Sequence, residues 1–235
     1  LVVVEPKRAF SEGSAQPAGR PLETPPGRTK RAAEGYSGGM ATAPVLAARR
    51  FVVFDTEYTC WEGAIERDWS GPGEYREIVQ IGAVKIDAER QCREVAAFEV
   101  LIRPAINPLL SPYFIALTAI EQAAVDDSGV PFPEALEAFV KFLGDDVEAV
   151  YCNGSDHRIV SENCRLAGIP YPLDDDLVAN AQPLIRHVLG GDDWISCSDL
   201  GDHLELEGND PKHQGLGDAR AVAAAFRIFR RRGLI

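Results

Sequence analysis

The sequence lacks clustered cysteines and long apolar runs, the features of metal fingers, disulfide frameworks and membrane spans. Its 235 residues include five cysteines, four histidines and one methionine, and the cysteines stand singly, without a CxxC pair. Neither a disulfide framework nor a cysteine zinc site is therefore expected. No apolar run approaches the length of a membrane-spanning helix. The opening LVVV is followed at once by EPKR, which is not a signal-peptide pattern, so we expect a soluble, cytoplasmic protein.

Basic residues are outnumbered by acidic ones, which gives the chain a formal net charge of −12. Residues 1–50 hold eight Lys/Arg against four Glu, for +4, so residues 51–235 carry −16. Such a balance counts against tight binding of long duplexes, whose phosphates attract basic surfaces. Bound divalent cations would reverse the local sign of an acidic pocket and make it attractive to phosphate. If the chain acts on nucleic acid, the composition therefore favours a short engaged end over a long duplex.

The first 48 residues differ in composition from the rest of the chain. They are rich in Pro, Gly, Ala, Ser and Arg and lack apolar periodicity after the first four residues. This composition predicts a disordered basic tail or linker over residues 1–48 and a domain over residues 49–235. The basic run 28–31 is either a contact for nucleic acid or a partner, or a solvated charge run. Met40, the only methionine, is an alternative translation start.

From Arg50 onward, short apolar runs and amphipathic stretches indicate a folded domain. Strands are predicted at 51–54, 78–86, 96–103 and 147–152. Helices are predicted from Ser111-Pro112 onward and at 132–143, 157–167, 183–188, 198–206 and 218–231. Three strands followed by alternating helices and a strand predict an α/β or α+β domain with a mixed sheet.

Two carboxylates follow the first strand at a spacing of two residues. Side chains at i and i+2 leave a strand on the same face, so Asp55 and Glu57 should converge. Adjacent carboxylates repel, and a divalent cation would make the pair favourable. Hard oxygen ligands indicate Mg²⁺ or Mn²⁺ rather than zinc. The alternative is a solvated strand end that carries acidic residues by chance.

Two further segments carry groups suited to metal-assisted hydrolysis. Asp156 follows the fourth strand at the start of a helix, and His213 precedes Asp218 by five residues in HQGLGD, at the head of another helix. Ligand sites in α/β sheets form beyond the carboxyl ends of strands. Together these residues offer two more carboxylates and an imidazole that can act as a base for the attacking water. Alternatively, both aspartates are helix N-caps and the histidine is a surface residue.

The motifs FDTE, NGSD and HQGLGD, in that order, resemble those of the DEDDh branch of the DnaQ-like exonucleases over roughly residues 49–231. Within that branch the chain is most similar to the group of histone-mRNA and RNA-interference-modulating 3′ exonucleases. FDTEYTCWEG, REIVQIGAV, LTAIEQAAVD and HQGLGDARAVA carry that similarity. Tyr58, Ala119 and Gly217 depart from the group's pattern, but none of them removes a metal ligand.

The resemblance implies a fold, a site and a cofactor. The fold is a ribonuclease H-like mixed five-stranded β-sheet flanked by α-helices. Two Mg²⁺ (or Mn²⁺) ions are expected on four carboxylates, and His213 is expected to be the general base. The implied metal ligands are Asp55, Glu57, Asp156 and Asp218. The expected substrate-binding residues are Thr56, Trp61, Leu117 and Thr118. Leu117 and Thr118 match the family segment that packs on the terminal nucleotide, whereas Trp61 either stacks on the terminal base or anchors its loop in the core.

The expected activity is removal of 5′-mononucleotides from the 3′ end of a single strand, with RNA favoured. Its expected partners are a single-stranded RNA or DNA 3′ end and the nucleoside monophosphate product, with no membrane. A DNA proofreading or trimming exonuclease is one alternative, because the 2′-hydroxyl that distinguishes RNA from DNA leaves no signal here. A catalytically weak module that binds nucleic-acid ends is another, and metal-dependent release of mononucleotide would separate it from an enzyme.

Overall fold

A mixed five-stranded sheet forms the centre of the protein in the computed structural model, which describes residues 48–204 and 213–235. Its strands are β1 (Arg50–Tyr58), β2 (Ile78–Asp87), β3 (Arg93–Leu101), β4 (Ala149–Cys152) and β5 (Val178–Asn180). They lie in the order β3-β2-β1-β4-β5, with β1–β2 and β2–β3 antiparallel and β1–β4 and β4–β5 parallel. The predicted mixed sheet is confirmed. The predicted tail, save its last residue, lies outside the described residues.

Seven helices occur in the described part of the chain. They are α1 (Pro112–Thr118), α2 (Gln122–Ser128), α3 (Phe132–Leu143), α4 (Asp156–Ala167), α5 (Gln182–Leu189), α6 (Cys197–Leu204) and α7 (Gly215–Arg231). The sequence signals at their ends act as expected. The Ser111 hydroxyl caps α1 by accepting from the Phe114 amide at 3.0 Å, and α4 ends at Gly168 in the left-handed region, at φ 68°. None of the described helices is long and apolar enough to cross a membrane.

Successive side chains of β1 point to opposite faces of the sheet, so the strand contributes to the hydrophobic cores on both faces. Phe51 and Val53 belong to a core shared with α5, α6 and α7, where Phe226 packs 6.0 Å from Phe51 between ring centroids. Val52 and Phe54 belong to the opposite core, shared with α3 and α4. Because the strand has a period of two, Asp55 and Glu57 continue the α7 face. The residue between them continues the α4 face.

Two elements were not predicted from the sequence, and one strand is longer than predicted. Helix α2 and strand β5 are short, and neither has a strong apolar period. Strand β1 continues to Tyr58 because its pairing with β2 extends to Ile78. Asp55 and Glu57 therefore lie within the strand and not beyond its end.

Candidate active site

The end of β1 opens into a cavity of about 240 Å³. Asp55 and Glu57 project into it from the same face of the strand, and both are partly buried. Asp156, His213 and Asp218 line the same cavity. The fold thus brings together five residues from three segments that are about 100 and 60 residues apart in the chain.

Asp156 is held in place by the residue that separates Asp55 from Glu57. The Thr56 hydroxyl donates to Asp156 Oδ1 at 2.7 Å, and the Thr56 amide donates to the same oxygen at 3.2 Å. Both residues are buried, at 4% and 8% exposure. The parallel pairing of β1 with β4 brings the start of α4 beside the end of β1, which makes this contact across 100 residues.

The start of α7 is fixed against the middle of the sheet. Gln80 of β2 is 5% exposed, and its Oε1 accepts the Gly215 amide at 2.8 Å, which satisfies a first-turn donor of the helix. Its Nε2 donates to Glu99 Oε1 at 3.2 Å. His213 precedes the helix with φ 57°, and Asp218 lies in its first turn. These hydrogen bonds hold the start of α7 against the face of β1 that carries Asp55.

The carboxylates raise one another's pKa values. Burial raises the pKa of Glu57 to about 8, and the charges of Asp218 and Asp156 add to the shift. Burial raises the pKa of Asp218 to about 6, with a further contribution from Asp156. The pKa of Asp55 lies well above its ordinary value because of burial and of three neighbouring carboxylates. Burial also raises the pKa of Asp156, and the hydrogen bonds from Thr56 oppose that rise.

A divalent cation fits this donor set. Four carboxylates that face one cavity make the ionised state of each unfavourable, and a cation would restore it. Aspartate and glutamate oxygens are the ligands that Mg²⁺ and Mn²⁺ prefer. Among the described residues that line the cavity there is no Lys or Arg to neutralise these carboxylates. Asp55, Glu57, Asp156 and Asp218 are therefore the groups that could hold a metal.

A thiol also lies beside these carboxylates, which the sequence did not predict. Ligand atoms of Asp55, Cys197 and Asp218 all lie within 4.8 Å of one another. Cys197 also lies 3.3 Å from Asn153 Nδ2, which can donate to its sulfur. Burial, followed by the charges of the two aspartates, raises the pKa of the thiol far above its ordinary value, which keeps it protonated. An isolated cysteine in the sequence gives no indication of such a neighbourhood.

The residues predicted to bind substrate are divided between the cavity and the core. Thr56, Leu117 and Thr118 line the cavity, whereas Trp61 does not and instead packs on a core cluster around Phe114. Thr118 is fully buried, and its hydroxyl donates to the Phe114 carbonyl at 3.0 Å and accepts the Ile120 amide at 3.1 Å. That hydroxyl fixes the end of α1, so Thr118 contributes mainly its shape to the cavity wall.

Other residues line the cavity without having been predicted there. Besides those already named, they are Tyr58, Cys60, Ile65, Trp69, Tyr113, Phe114, Asn153, Ser155, Ile159 and Trp194. Trp69 is anchored, because its Nε1 donates to the Thr59 carbonyl at 2.9 Å. Trp194 belongs to the loop between α5 and α6, and nothing in the local sequence of that loop indicates that it reaches the site.

A larger cavity, of about 520 Å³, lies far from this chemistry. It is formed by Arg227, Arg230 and Arg231 near the end of α7 and by the turn between β2 and β3. None of the carboxylates described above lines it. The smaller cavity is therefore the candidate active site, because of these two cavities it is the one whose described lining combines acidic ligands with a histidine.

Comparisons with known proteins agree with this fold. Residues 52–226 match the RNase T family, described as exonuclease. ERI1 exoribonuclease 3 of Homo sapiens is 24% identical over 219 residues, which cover 88% of this chain and 62% of that protein. The 3′-5′ exonuclease Snipper of Drosophila melanogaster is 34% identical over 98 residues, which cover 42% of this chain and 33% of that protein. The chain thus spans less than two thirds of these relatives.

Solved structures share the fold. The nuclease domain of 3′hExo, a DEDDh family member bound to rAMP, superposes with a TM-score of 0.70 and 21% identity, over 80% of this chain and 94% of that one. Cell-death related nuclease 4 superposes with a TM-score of 0.65 and 17% identity, over 79% of this chain and 65% of that one. The predicted ribonuclease H-like fold and the predicted resemblance to DnaQ-like exonucleases are both confirmed.

Proposed function

Because this chain belongs to the exonuclease family, we propose that it is a metal-dependent 3′→5′ exonuclease that releases 5′-mononucleotides from single-stranded RNA. The observation that carries the proposal is the convergence of Asp55, Glu57, Asp156 and Asp218 with His213 in one cavity. RNA is favoured because the relatives that cover most of the chain are named exoribonucleases. A cytoplasmic location stays a prediction.

Two Mg²⁺ or Mn²⁺ ions held by the four carboxylates would supply Lewis acidity, both to acidify a bound water and to neutralise charge on the scissile phosphate. His213 accepts the proton of the attacking water. The water oxygen bonds to phosphorus as the bond from phosphorus to the leaving 3′ oxygen breaks. The products are a nucleoside 5′-monophosphate and a chain with a new 3′-hydroxyl.

The remaining residues orient these groups. Thr56 fixes the direction of the Asp156 carboxylate through its two hydrogen bonds. Gln80 fixes the start of α7, and with it Asp218. Leu117 offers an apolar wall against which the terminal nucleotide packs. A substrate contact by Trp61 stays a prediction, because the ring packs on the core beside the cavity.

The test is digestion of 5′-labelled single-stranded RNA and DNA of the same sequence with Mg²⁺. We expect stepwise shortening from the 3′ end, faster on RNA, with mononucleotide as the product. Chelation of the metal and Asp55→Ala should each abolish it. Equal rates on both strands would contradict the RNA preference. The absence of metal-dependent shortening on either strand would overturn the proposed function.

A further inference from the structure

Trp194 is an exposed indole beside the carboxylates. Its side chain is 60% exposed although it lines the cavity that holds Asp55 and Asp156. The six-membered edge of the ring lies on Gly154, where an added Cβ would stand 2.6 Å from Trp194 Cη2. Gly154 has φ +136°, a conformation that side-chain-bearing residues rarely adopt. The glycine therefore provides the space that lets the ring lie close to the start of α4.

The backbone beside Trp194 is held by buried polar groups. The Ile195 carbonyl accepts from Asn153 Nδ2 at 3.2 Å and from Gln182 Nε2, and the Ile195 amide donates to Gln182 Oε1 at 3.3 Å. Gln182 Nε2 also donates to Asn153 Oδ1 at 2.6 Å. Gln182 is 1% exposed and Ile195 is 8% exposed. The loop is thus fixed on the end of β4 while the ring of Trp194 faces outward.

This combination differs from that of a tryptophan used for packing. A packing tryptophan buries its ring, as the anchored Trp69 does in part, and its nitrogen finds a partner. At Trp194 the hydrogen bonds fix the neighbouring backbone, and the large apolar ring stays available. An aromatic face held at low entropic cost is what a nucleobase needs for stacking, and every base offers such a face.

The negative charge of this domain makes an apolar contact with the substrate more important. Residues 51–235 carry −16, and the part of the cavity wall that the structure describes offers no Lys or Arg to attract the phosphate backbone. Stacking does not depend on that attraction and tolerates any base sequence. Gly154 lies two residues before Asp156, which places the ring next to the groups proposed to act on the terminal phosphodiester.

We propose that Trp194 is a stacking platform for a nucleobase within the last two nucleotides at the 3′ end of the substrate, seated on Gly154 and held by the Asn153–Gln182–Ile195 contacts. The inference rests on the proposed exonuclease function and adds the residue that recognises the base. It predicts that the enzyme senses whether a base is present near the 3′ end but discriminates weakly among the four bases.

The experiment is a double-mutant cycle in which the Trp194 ring is removed from the protein and a base is removed from the RNA, each alone and both together. Binding of three 5′-labelled single-stranded RNAs is measured by fluorescence anisotropy with Mg²⁺, in a His213→Ala background that slows turnover. One RNA is intact, one is abasic at the terminal nucleotide and one is abasic at the penultimate nucleotide. We expect Trp194→Ala to weaken binding of intact RNA by about tenfold or more, which is the range of base–aromatic stacking. On one of the abasic RNAs the same substitution should have no further effect.

Two variants and a second signal separate stacking from folding. Trp194→Phe should retain most of the affinity, and Trp194→Leu, which keeps apolar bulk without an aromatic face, should lose it. Tyr75→Ala is the matched control, because Tyr75 is 41% exposed and does not line the cavity. It should bind all three RNAs like the parent. With AMP as the ligand, quenching of intrinsic fluorescence should be smaller in Trp194→Phe than in the parent, whose cavity wall also includes Trp69. Thermal unfolding of each variant checks its fold.

Equal losses on all three RNAs, unchanged affinity in Trp194→Ala, or full affinity in Trp194→Leu would each overturn the inference. Hydrolysis of the intact RNA by the unsubstituted chain is measured in parallel. If the unsubstituted chain hydrolyses RNA but the losses from removing the ring and the base are additive, the stacking role of Trp194 is refuted and the proposed function is not. If the losses from removing the ring and the base are coupled but the unsubstituted chain does not hydrolyse RNA, the proposed function is refuted and the stacking role of Trp194 is retained. The absence of both binding and hydrolysis would refute both.

Discussion

The backbone of Gly82 in β2 lies directly against the backbone of Gly215 at the start of α7. A Cβ on Gly215 would stand 2.9 Å from the Gly82 nitrogen, and a Cβ on Gly82 would stand 1.9 Å from the Leu216 nitrogen. The same Cβ on Gly215 would be 3.1 Å from the Asp55 carbonyl oxygen. This close approach sets the distance between the helix that carries Asp218 and the strand that carries Asp55.

Gly82→Ala should therefore separate α7 from the sheet. The added methyl group meets backbone atoms, which cannot rotate away, so we expect a loss of about 1–3 kcal/mol in the free energy of unfolding. A displacement of about 1 Å at Asp218 should lower kcat by about 100-fold. Chemical denaturation and single-strand digestion measure the two effects. Gly201→Ala in α6 is the control, because its Cβ would meet nothing within 4 Å. A Gly82→Ala enzyme with normal kcat would contradict this role.

Thr56→Val should weaken the site without unfolding the protein. The substitution removes the hydroxyl that donates to Asp156 Oδ1 and keeps the amide that donates to the same oxygen. Hydrogen bonds to a carboxylate favour its charged form, so their partial loss raises the pKa of Asp156 further. We expect the Mg²⁺ concentration for half-maximal activity to rise several-fold. Thr56→Ser keeps the hydroxyl and should behave like the parent enzyme; an equal change in both variants would count against this explanation.

His213→Ala should lower the rate by about 10²–10⁴-fold, the usual contribution of a general base. Metal binding should persist, since the four carboxylates are unchanged. Calorimetric titration with Mn²⁺ and single-turnover digestion test the two statements separately. His187→Ala is the control, because His187 is exposed on α5 and does not line the cavity. Unchanged turnover in His213→Ala would remove the histidine from the mechanism.

The metal-free protein should lose stability as pH rises through the range in which Glu57 titrates. Its pKa is about 8 in the folded protein and about 4.5 when exposed, so the folded state binds one more proton between those values. Stability from this group is present below pH 4.5 and declines up to about pH 8. Asp218, with a pKa of about 6, adds to the decline at the lower end of that range.

Glu57→Gln isolates this effect from other titrations. In EDTA, the melting temperature of the variant relative to the parent should increase between pH 5 and pH 8, because glutamine has no proton to lose. With saturating Mg²⁺ the order should reverse, since the ionised carboxylate then gains a cation and stabilises the folded state. A difference in melting temperature that does not vary with pH in EDTA would contradict the raised pKa.

The local sequence predicted which residues are the candidates for the chemistry. Asp55 and Glu57 share a face because a strand has a period of two, and Asp156 and Asp218 stand at helix starts that their own segments encode. Spacing within a few residues is enough for these statements, since dihedral preferences and side-chain periodicity are local. The helices α3, α4 and α7 were likewise predicted within a few residues of their observed bounds.

Only the tertiary structure decided how those residues meet and what else surrounds them. The Thr56–Asp156 bonds span 100 residues, and the bond from the Gly215 amide to Gln80 spans 135. Trp194 reaches the cavity, and Cys197 at the start of α6 reaches the carboxylates, because the chain between them is tied to the end of β4, a contact with no local pattern. Strand β5 is three residues long and exists through its pairing with β4. The local sequence places each candidate ligand on its strand or helix. Packing between distant segments then sets the distances between these residues, their pKa values and the surfaces around them, because those depend on contacts that no single segment contains.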